Sequence, residues 1–396
     1  EEEQVVTLSH LGYIKRLPLN TYRAQNRGGR GVSGGQSREE DFIEHFFVAS
    51  THAYLLLITN RGQLYWLRVI DIPEGSRTSP GRHIKQVLEL KEEEHISGVI
   101  PVRHLDAEAV ATEGLQLLMV TRRGLIKKTG LDQYCRPKKG GIIGIALEEG
   151  DTLIGVKMVR PNDEVILSTH RGMSIRFDET DVRPTGRGTY GVKGISLVSD
   201  DVVVGVVVTS PDGMLLSVCA KGYGKCTPFG PNHVGEVVED EVDAIGTGNG
   251  SDGAAKLAVA DAASHPDFSD VVVKLAEADA PSTDDQTPLA DDTEETRSSM
   301  VYRKQRRGGK GIRDIRTSDR NGPVVTSLAV SGDDDVMLIT SSGMVTRIHV
   351  NTIRITGRNT QGVKLVNLKE GDTVKSLARI ARDDTPETET NGEPIG

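Results

Sequence analysis

Thr121-Arg122-Arg123-Gly124, followed by Lys127-Lys128, closes one apolar strand and opens another. A Ser, Thr or other polar residue ends the first run, a glycine supplies positive φ for the turn, and a basic residue begins the return strand. The same pattern stands at Ser9-His10-Leu11-Gly12 before Lys15-Arg16, and at Thr59-Asn60-Arg61-Gly62 before Tyr65 to Arg68. It returns at Thr169-His170-Arg171-Gly172 before Arg176, at Ala220-Lys221-Gly222-Tyr223-Gly224 before Lys225, and at Thr340-Ser341-Ser342-Gly343 before Arg347. Successive turn glycines are 50, 62, 48, 52 and 119 residues apart. The long last interval holds residues 232–300, which carry 17 Asp or Glu against three Lys or Arg. Without that segment the period of about 50 residues is restored, so it reads as an insertion in the fifth of six repeats. Six copies of one hairpin, each with further short strands, predict an all-β, propeller-like ring with six blades. Two β-sandwiches are the competing architecture, but a sandwich does not need six copies of one hairpin.

A glycine-rich basic turn follows each hairpin. It reads Gln25-Asn26-Arg27-Gly28-Gly29-Arg30-Gly31 in the first repeat and, more loosely, Arg77-Thr78-Ser79-Pro80-Gly81-Arg82 in the second. The third and fourth carry Lys138-Lys139-Gly140-Gly141-Ile142-Ile143-Gly144 and Thr185-Gly186-Arg187-Gly188-Thr189-Tyr190-Gly191. The fifth carries Gln305-Arg306-Arg307-Gly308-Gly309-Lys310-Gly311, and the sixth Gly357-Arg358-Asn359-Thr360-Gln361-Gly362. Glycine lets another surface come close, successive N–H groups can cradle an anion, and the side chains add fixed positive charge. If the repeats are equivalent around a ring, these turns form a discontinuous cationic band on its perimeter, suited to a long polyanion that bends. An acidic-Gly turn follows, as at Glu149-Gly150-Asp151 and Glu370-Gly371-Asp372, and then a further strand.

The net charge of −9 conceals a segregation of sign. With residues 232–300, Glu1 to Glu3 and the acids after Arg382 set aside, the remaining body carries about +13. A basic body with acidic appendages points to a polyanion partner. The insertion, rich in Ala, Asp, Ser, Thr and Gly, reads as largely disordered, with one helical pattern at His265 to Leu275. It also reads as a candidate DNA mimic that folds back on the basic band, and the acidic tail 383–396 raises the same expectation.

No run approaches the length of a membrane helix. Three cysteines, Cys135, Cys219 and Cys226, without a secretory leader, fit a reducing cytosol. Glu1 leads straight into a strand-like run, so the chain reads as a fragment of a longer protein. No nucleotide-binding loop, nucleophile set or metal spacing is present. Tyr22, Tyr134 and Tyr302, just before basic turns, read as packing residues, and Asp333-Asp334-Asp335 as a solvated turn.

These residues resemble the C-terminal domain of DNA gyrase A. Gln305 to Gly311 matches that family's Gln-Arg-Arg-Gly-Gly-Lys/Arg-Gly box at every position. Thr7 to Arg16 with Tyr22-Arg23-Ala24-Gln25 is similar to its first blade, and Asp319 to Val325 with Gly357 to Val363 to its last. The copy at Gln25 to Gly31 departs at Asn26 and is the one that sits where the family usually carries its box.

The resemblance implies a six-bladed β-pinwheel over residues 1–382, with neighbouring blades exchanging strands, interrupted by the insertion at 232–300 and followed by the tail 383–396. It implies that duplex DNA wraps the rim with positive handedness, within an enzyme that introduces negative supercoils using ATP and Mg2+ held elsewhere. The implied partners are DNA, the N-terminal part of gyrase A, and gyrase B, with the isolated domain monomeric. No cofactor and no catalytic residue is expected in this chain, the cleavage tyrosine lying outside it. The expected DNA-binding residues are Gln305, Arg306, Arg307, Gly308, Gly309, Lys310, Gly311, Gln25, Arg27, Gly28, Gly29, Arg30, Gly31, Lys15, Arg16, Arg122, Arg123, Lys138, Lys139, Arg187 and Arg358. The corresponding C-terminal domain of topoisomerase IV, or a propeller scaffold for protein interaction, are the alternatives.

Overall fold

The structure is a computed structural model that describes residues 2–9, 11–18, 41, 43–76, 79–210, 213–230, 301–342 and 344–380. The box copy at 25–31, Tyr22, the insertion with its helical pattern, and the tail 383–396 lie outside the described residues.

Repeats two to six each contribute an antiparallel hairpin, a short outer strand and an inner strand, and the described residues of repeat one contribute a hairpin and an inner strand. Repeat one gives β1 (Glu3–Ser9), β2 (Tyr13–Pro18) and β3 (Ile43–Ser50). Repeat two gives β4 (Tyr54–Thr59), β5 (Gln63–Arg68), β6 (Arg82–His83) and β7 (Ile96–Val102). The third gives β8 (Gln116–Thr121), β9 (Leu125–Gly130), β10 (Ile142–Ile143) and β11 (Leu153–Val159). The fourth gives β12 (Glu164–Thr169), β13 (Met173–Asp178), β14 (Val192–Lys193) and β15 (Val203–Val208). The fifth gives β16 (Met214–Cys219), β17 (Tyr223–Pro228), β18 (Ile312–Arg313) and β19 (Val324–Val330), and the sixth β20 (Asp335–Thr340), β21 (Val345–His349), β22 (Val363–Lys364) and β23 (Val374–Ile380).

The outer strand never joins its own hairpin. The sheets run β3-β1-β2-β6, β7-β4-β5-β10, β11-β8-β9-β14, β15-β12-β13-β18, β19-β16-β17-β22 and β23-β20-β21. Every two-residue strand thus crosses back to edge the preceding blade. The inner strands pack on one another from β7 through β11, β15, β19 and β23 to β3, which brings the sixth blade against the first. This is the expected all-β, six-bladed propeller with exchanged strands.

Local chemistry explains the recurring hairpin. The Ser or Thr ending its first strand accepts the N–H four residues on: Ser9 from Tyr13 at 2.9 Å, Thr59 from Gln63 at 3.2 Å, Thr121 from Leu125 at 3.2 Å and Thr169 from Met173 at 3.1 Å. The acidic turn before the inner strand supplies a second anchor, with Asp151 accepting from Arg123 N at 3.0 Å and Asp201 from Arg171 N at 2.9 Å. A register shift recurs where the first hairpin strand ends, at Leu8/Ser9, Ile58/Thr59, Ser168/Thr169, Val218/Cys219 and Ile339/Thr340.

Both faces of an interior blade are covered, so its hairpin reads as an unbroken apolar run rather than an alternation. Leu55 and Leu57 pack toward the first blade, while Leu56 and Ile58 pack toward the third. The 62-residue interval between Gly62 and Gly124 contains a helix, α1 (Ala107–Thr112), which the apolar pattern does not announce. Asp106 caps it by accepting from Glu108 N and Ala109 N.

Tyr134 and Tyr302 are fully buried packing residues, as expected. The acidic run at 333–335 is not a solvated turn throughout. Asp334 and Asp335 are buried, and Asp335 lies within β20 and pairs with Arg347 and His349. His349 stands opposite it on β21 and Arg347 reaches it diagonally from the position opposite Met337, and a buried carboxylate is tolerated when so paired.

Candidate nucleic-acid interface

We call the segment that carries each outer strand a strap. Straps three to six, residues 136–145, 183–197, 303–313 and 354–368, contain fifteen Lys or Arg and no Asp or Glu. Each runs along the second hairpin strand of the preceding blade, at the sheet edge farthest from the packed inner strands. Its last turn glycine seats it there. A Cβ on Gly311, at φ +75°, would stand 2.4 Å from Ser174 O, and one on Gly362 would stand 2.6 Å from Gly224 O. No other residue fits such an approach.

Consecutive straps are joined by backbone hydrogen bonds within them or just past their ends. Ala146 N donates to Thr189 O at 3.1 Å, linking straps three and four. Gly308 N donates to Gly194 O at 2.8 Å and Ser196 N to Gly309 O at 2.8 Å, linking four and five. Asn359 N donates to Asp314 O at 2.7 Å and Arg316 N to Thr360 O at 2.8 Å, linking five and six. The band expected to be discontinuous is therefore a continuous hydrogen-bonded rim across four straps.

Of the expected residues, Arg306, Lys310, Lys138 and Lys139 project from this rim and are exposed, Lys139 lying 3.4 Å from Glu89. Gly308 and Gly309 make the strap contacts just given. Arg307 is half-buried and commits its guanidinium to the fold, donating from Nε to Asp181 O at 2.8 Å and also to Lys193 O. Gln305 anchors the box by its N–H to Arg176 O at 2.8 Å. Arg187 is half-buried. Arg358 donates to Val301 O at 2.7 Å, and burial pulls its pKa down. Arg122 and Arg123 are exposed at the hairpin tip rather than on a strap, Arg123 donating to Glu149 O at 3.0 Å.

Lys15 and Arg16 are turned inward, contrary to their expected place on the surface. Lys15 Nζ is buried and donates to Ser79 O at 2.7 Å and Ser76 O at 3.0 Å, within the second strap. Arg16 Nε donates to Ile72 O at 2.9 Å. The reason is strand exchange: a crossing strap presents carbonyls to the hairpin it edges, and a buried carbonyl needs a donor. The same clamp recurs at Lys127, which donates to Gly144 O at 2.6 Å and to Arg187 O, and at Lys225, which donates to Gly357 O at 3.2 Å. At the next position Lys128 pairs with Glu179, and Arg176 bonds Glu164, Phe229 O and Tyr302 O.

Exposed strap cations outside the expected set are Arg136, Arg183, Lys193, Arg303, Lys304, Arg313, Arg354 and Lys364, of which Lys304 pairs with Asp178 at 2.9 Å. A signal for most of them exists in the sequence. Arg183, Arg303 and Arg354 stand eight residues before the strap glycine, and Lys193, Arg313 and Lys364 two after it. Among the described residues, no group of His, Cys, Asp and Glu is placed to hold a metal ion, and no helix is long and apolar enough to cross a membrane. All three cysteines are buried free thiols.

A family model described as the DNA gyrase C-terminal domain, beta-propeller, matches residues 3–50, 53–103, 116–160, 163–210, 301–331 and 334–381, one segment per repeat. The DNA gyrase A protein of Klebsiella oxytoca is 35% identical over 381 residues, covering 96% of this chain and 35% of that protein. The Staphylococcus aureus gyrase A protein is 34% identical over 390 residues, 98% of this chain and 36% of its own length. The chain thus spans about a third of these relatives. A solved gyrase A C-terminal domain superposes with a TM-score of 0.65 at 23% identity, over 96% of this chain and all of that one. The C-terminal domain of a topoisomerase IV does so with 0.65 at 21% identity, over 96% and 93%, and these two likenesses are of fold. The six matched segments, with relatives similar along nearly the whole chain, place it in the DNA gyrase C-terminal domain family.

Proposed function

We propose that this chain binds duplex DNA along straps three to six and wraps it around the rim with positive handedness, as the DNA-wrapping part of a gyrase A protein. The observation that supports this is a continuous hydrogen-bonded rim whose four straps carry fifteen Lys or Arg and no acid, the acid at its joints, Asp314, being buried. Duplex DNA is a stiff, regular polyanion, and bending it by 40–90° over 20–30 bp costs on the order of 1–6 kcal/mol. A rigid row of cations offsets that cost over many phosphates, with release of condensed counterions. Arg presents a planar fork to phosphate oxygens, and such contacts carry no sequence information. In this reading strand breakage, ATP and Mg2+ belong to the N-terminal part of gyrase A and to gyrase B. This chain supplies the hand of the wrap, which those parts convert into negative supercoils.

The test is a wrapping assay. Nicked circular DNA is incubated with the 396-residue chain, sealed by ligase, freed of protein and read for linking number. A positive shift that grows with protein and disappears at high salt supports chiral wrapping. Tight binding without a shift would overturn it and favour the duplex-holding role expected of a topoisomerase IV domain. Changing Arg306 and Lys310 to Ala, and separately Arg27 and Arg30, assigns the effect to one box or the other.

A further inference from the structure

One cation recurs in the basic turns where the others vary. The residue four before the strap glycine is Arg27, Arg77, Arg187, Arg307 or Arg358, and only strap three departs, with Pro137. Neighbouring positions hold no such constant: Arg306 is matched by Gly186 and Gly357, and Lys310 by Tyr190 and Gln361. Arg27 and Arg77 lie outside the described residues. Arg187, Arg307 and Arg358 are all half-buried, while Arg306 and Lys310 are exposed.

These three arginines turn toward the strap before their own. Arg307 donates from Nε to Asp181 O at 2.8 Å and also to Lys193 O, two carbonyls on either side of the strap-four turn. Arg358 donates from Nε to Val301 O at 2.7 Å, two residues ahead of strap five. Arg187 shares the wall of a cleft with Lys138, Ile142 and Ile143 of strap three. At the joint of straps four and five, Ser196 Oγ also donates to Gly308 O at 2.8 Å, beside the two backbone bonds there. A guanidinium that holds two carbonyls of the neighbouring strap fixes where Lys193 stands relative to Arg306 and Lys310.

We propose that this recurring arginine is a positioning residue for the wrap. It staples its strap to the one before and sets the displacement between successive groups of cations, while exposed neighbours such as Arg306 and Lys310 meet the phosphates. A duplex that follows the rim takes its hand from that displacement. A planar fork suits the task, because one rigid group holds two acceptors at a fixed separation, which an ammonium on a flexible stem does not. The inference rests on the DNA-wrapping reading and divides its cations by role.

The experiment uses the full chain and sets Arg307→Lys and Arg307→Ala beside Arg306→Ala. Without DNA, Arg307→Lys should lose about tenfold in hydrogen-exchange protection at the Gly308 and Ser196 amides of the joint, the scale of one hydrogen bond to a charged group, and none at β12 and β16. With a labelled duplex, Arg306→Ala should lower the slope of log affinity on log salt by ~0.9, the share of one phosphate contact. Both Arg307 variants should keep the wild-type slope yet lose most of the linking-number shift. Unchanged protection at Gly308 and Ser196, or a loss shared equally by β12 and β16, would overturn the staple. So would a slope lowered as much in Arg307→Ala as in Arg306→Ala, or a wild-type shift in Arg307→Lys, since either makes Arg307 a phosphate contact. A wild-type chain that gives no shift would overturn the wrapping reading instead, and the exchange at Gly308 and Ser196 would still decide the staple.

Discussion

Lys127 shows how one residue type serves opposite ends in this fold. By composition it is one more cation beside a turn glycine. In the structure it is buried, and it ties straps three and four together through the carbonyls of Gly144 and Arg187. Burial, and then the charge of Arg187, push its pKa down to about 8. Below about 8 the folded chain carries a charge that burial disfavours. Between about 8 and the ordinary value of 10.5, the folded chain has released a proton that the unfolded chain still holds, so the Lys127 contribution rises with pH. The midpoint of denaturation of the wild type relative to Lys127→Met should therefore increase from about pH 7.5 to about pH 9.5, by up to about tenfold in folding constant per pH unit. A pH-independent difference would refute this.

Asp314 is the other residue whose role is set wholly by its neighbours. It lies just after the outer strand of strap five, accepts from Tyr302 Oη at 2.5 Å and Ser217 Oγ at 2.5 Å, and pairs with buried Lys225 at 2.8 Å. Burial, followed by the Asp314 charge, holds the Tyr302 hydroxyl well above its usual pKa. Asp314→Ala leaves Lys225 buried with its charge uncompensated and is expected to cost about 3–5 kcal/mol in chemical denaturation. A loss under about 1 kcal/mol would show that Lys225 finds another acceptor. Nothing in the sequence marks Lys225 or Lys15 as inward and Lys310 as outward. All are cations near glycines, and the distinction arises only when a crossing strap brings carbonyls to one and water to the other.

At the scale of the element, the hairpins were legible because their glycines recur at a nearly constant interval and their strand-ending Ser or Thr closes the turn. The outer strands were not legible as strands. Two residues such as Val192-Lys193 carry no periodicity, and their pairing with Ile126 and Leu125 is set by another repeat. Strap seating depends on backbone approach, and Gly311 offers the clearest test. Gly311→Ala combines a strained positive φ with a Cβ 2.4 Å from Ser174 O. It should cost on the order of 1–3 kcal/mol or more, and hydrogen exchange should show a loss of protection at Ile312 and Arg313, relative to the wild type, that β12 does not share. Unchanged protection there would mean that strap five is not held by this glycine. Because Arg306 and Lys310 ride on the same strap, the wrapping shift should fall with it.

At the scale of the molecule, the six blades and their basic rim were readable as repeats, while the continuity of the rim was not, since no sequence feature announces a bond such as Asn359 N to Asp314 O. The acidic insertion belongs to this scale because its charge opposes that of the whole rim. The residues flanking it meet: Tyr302 N donates to Phe229 O at 3.4 Å, and Arg176 reaches both Phe229 O and Tyr302 O. Removal of residues 232–299 can therefore be joined by a short link. If the insertion competes with DNA for the rim, the deletion should tighten binding at low salt in a direct titration. Equal affinity would rule that competition out.

Strand exchange also imposes an order of assembly. A sheet whose edge is supplied by the next repeat cannot be finished when its own repeat leaves the ribosome. Blade three waits for Val192, some sixty residues after its hairpin, but blade four waits for Ile312, with the whole insertion between. Closing a longer loop costs entropy that grows only with the logarithm of its length, so the detour costs the finished molecule little. During synthesis the effect is larger. The free edge of β13 stays unpaired until the box itself emerges, and that of β17 waits as long for Val363, so the strap with the most cations completes one of the two blades that the insertion holds open.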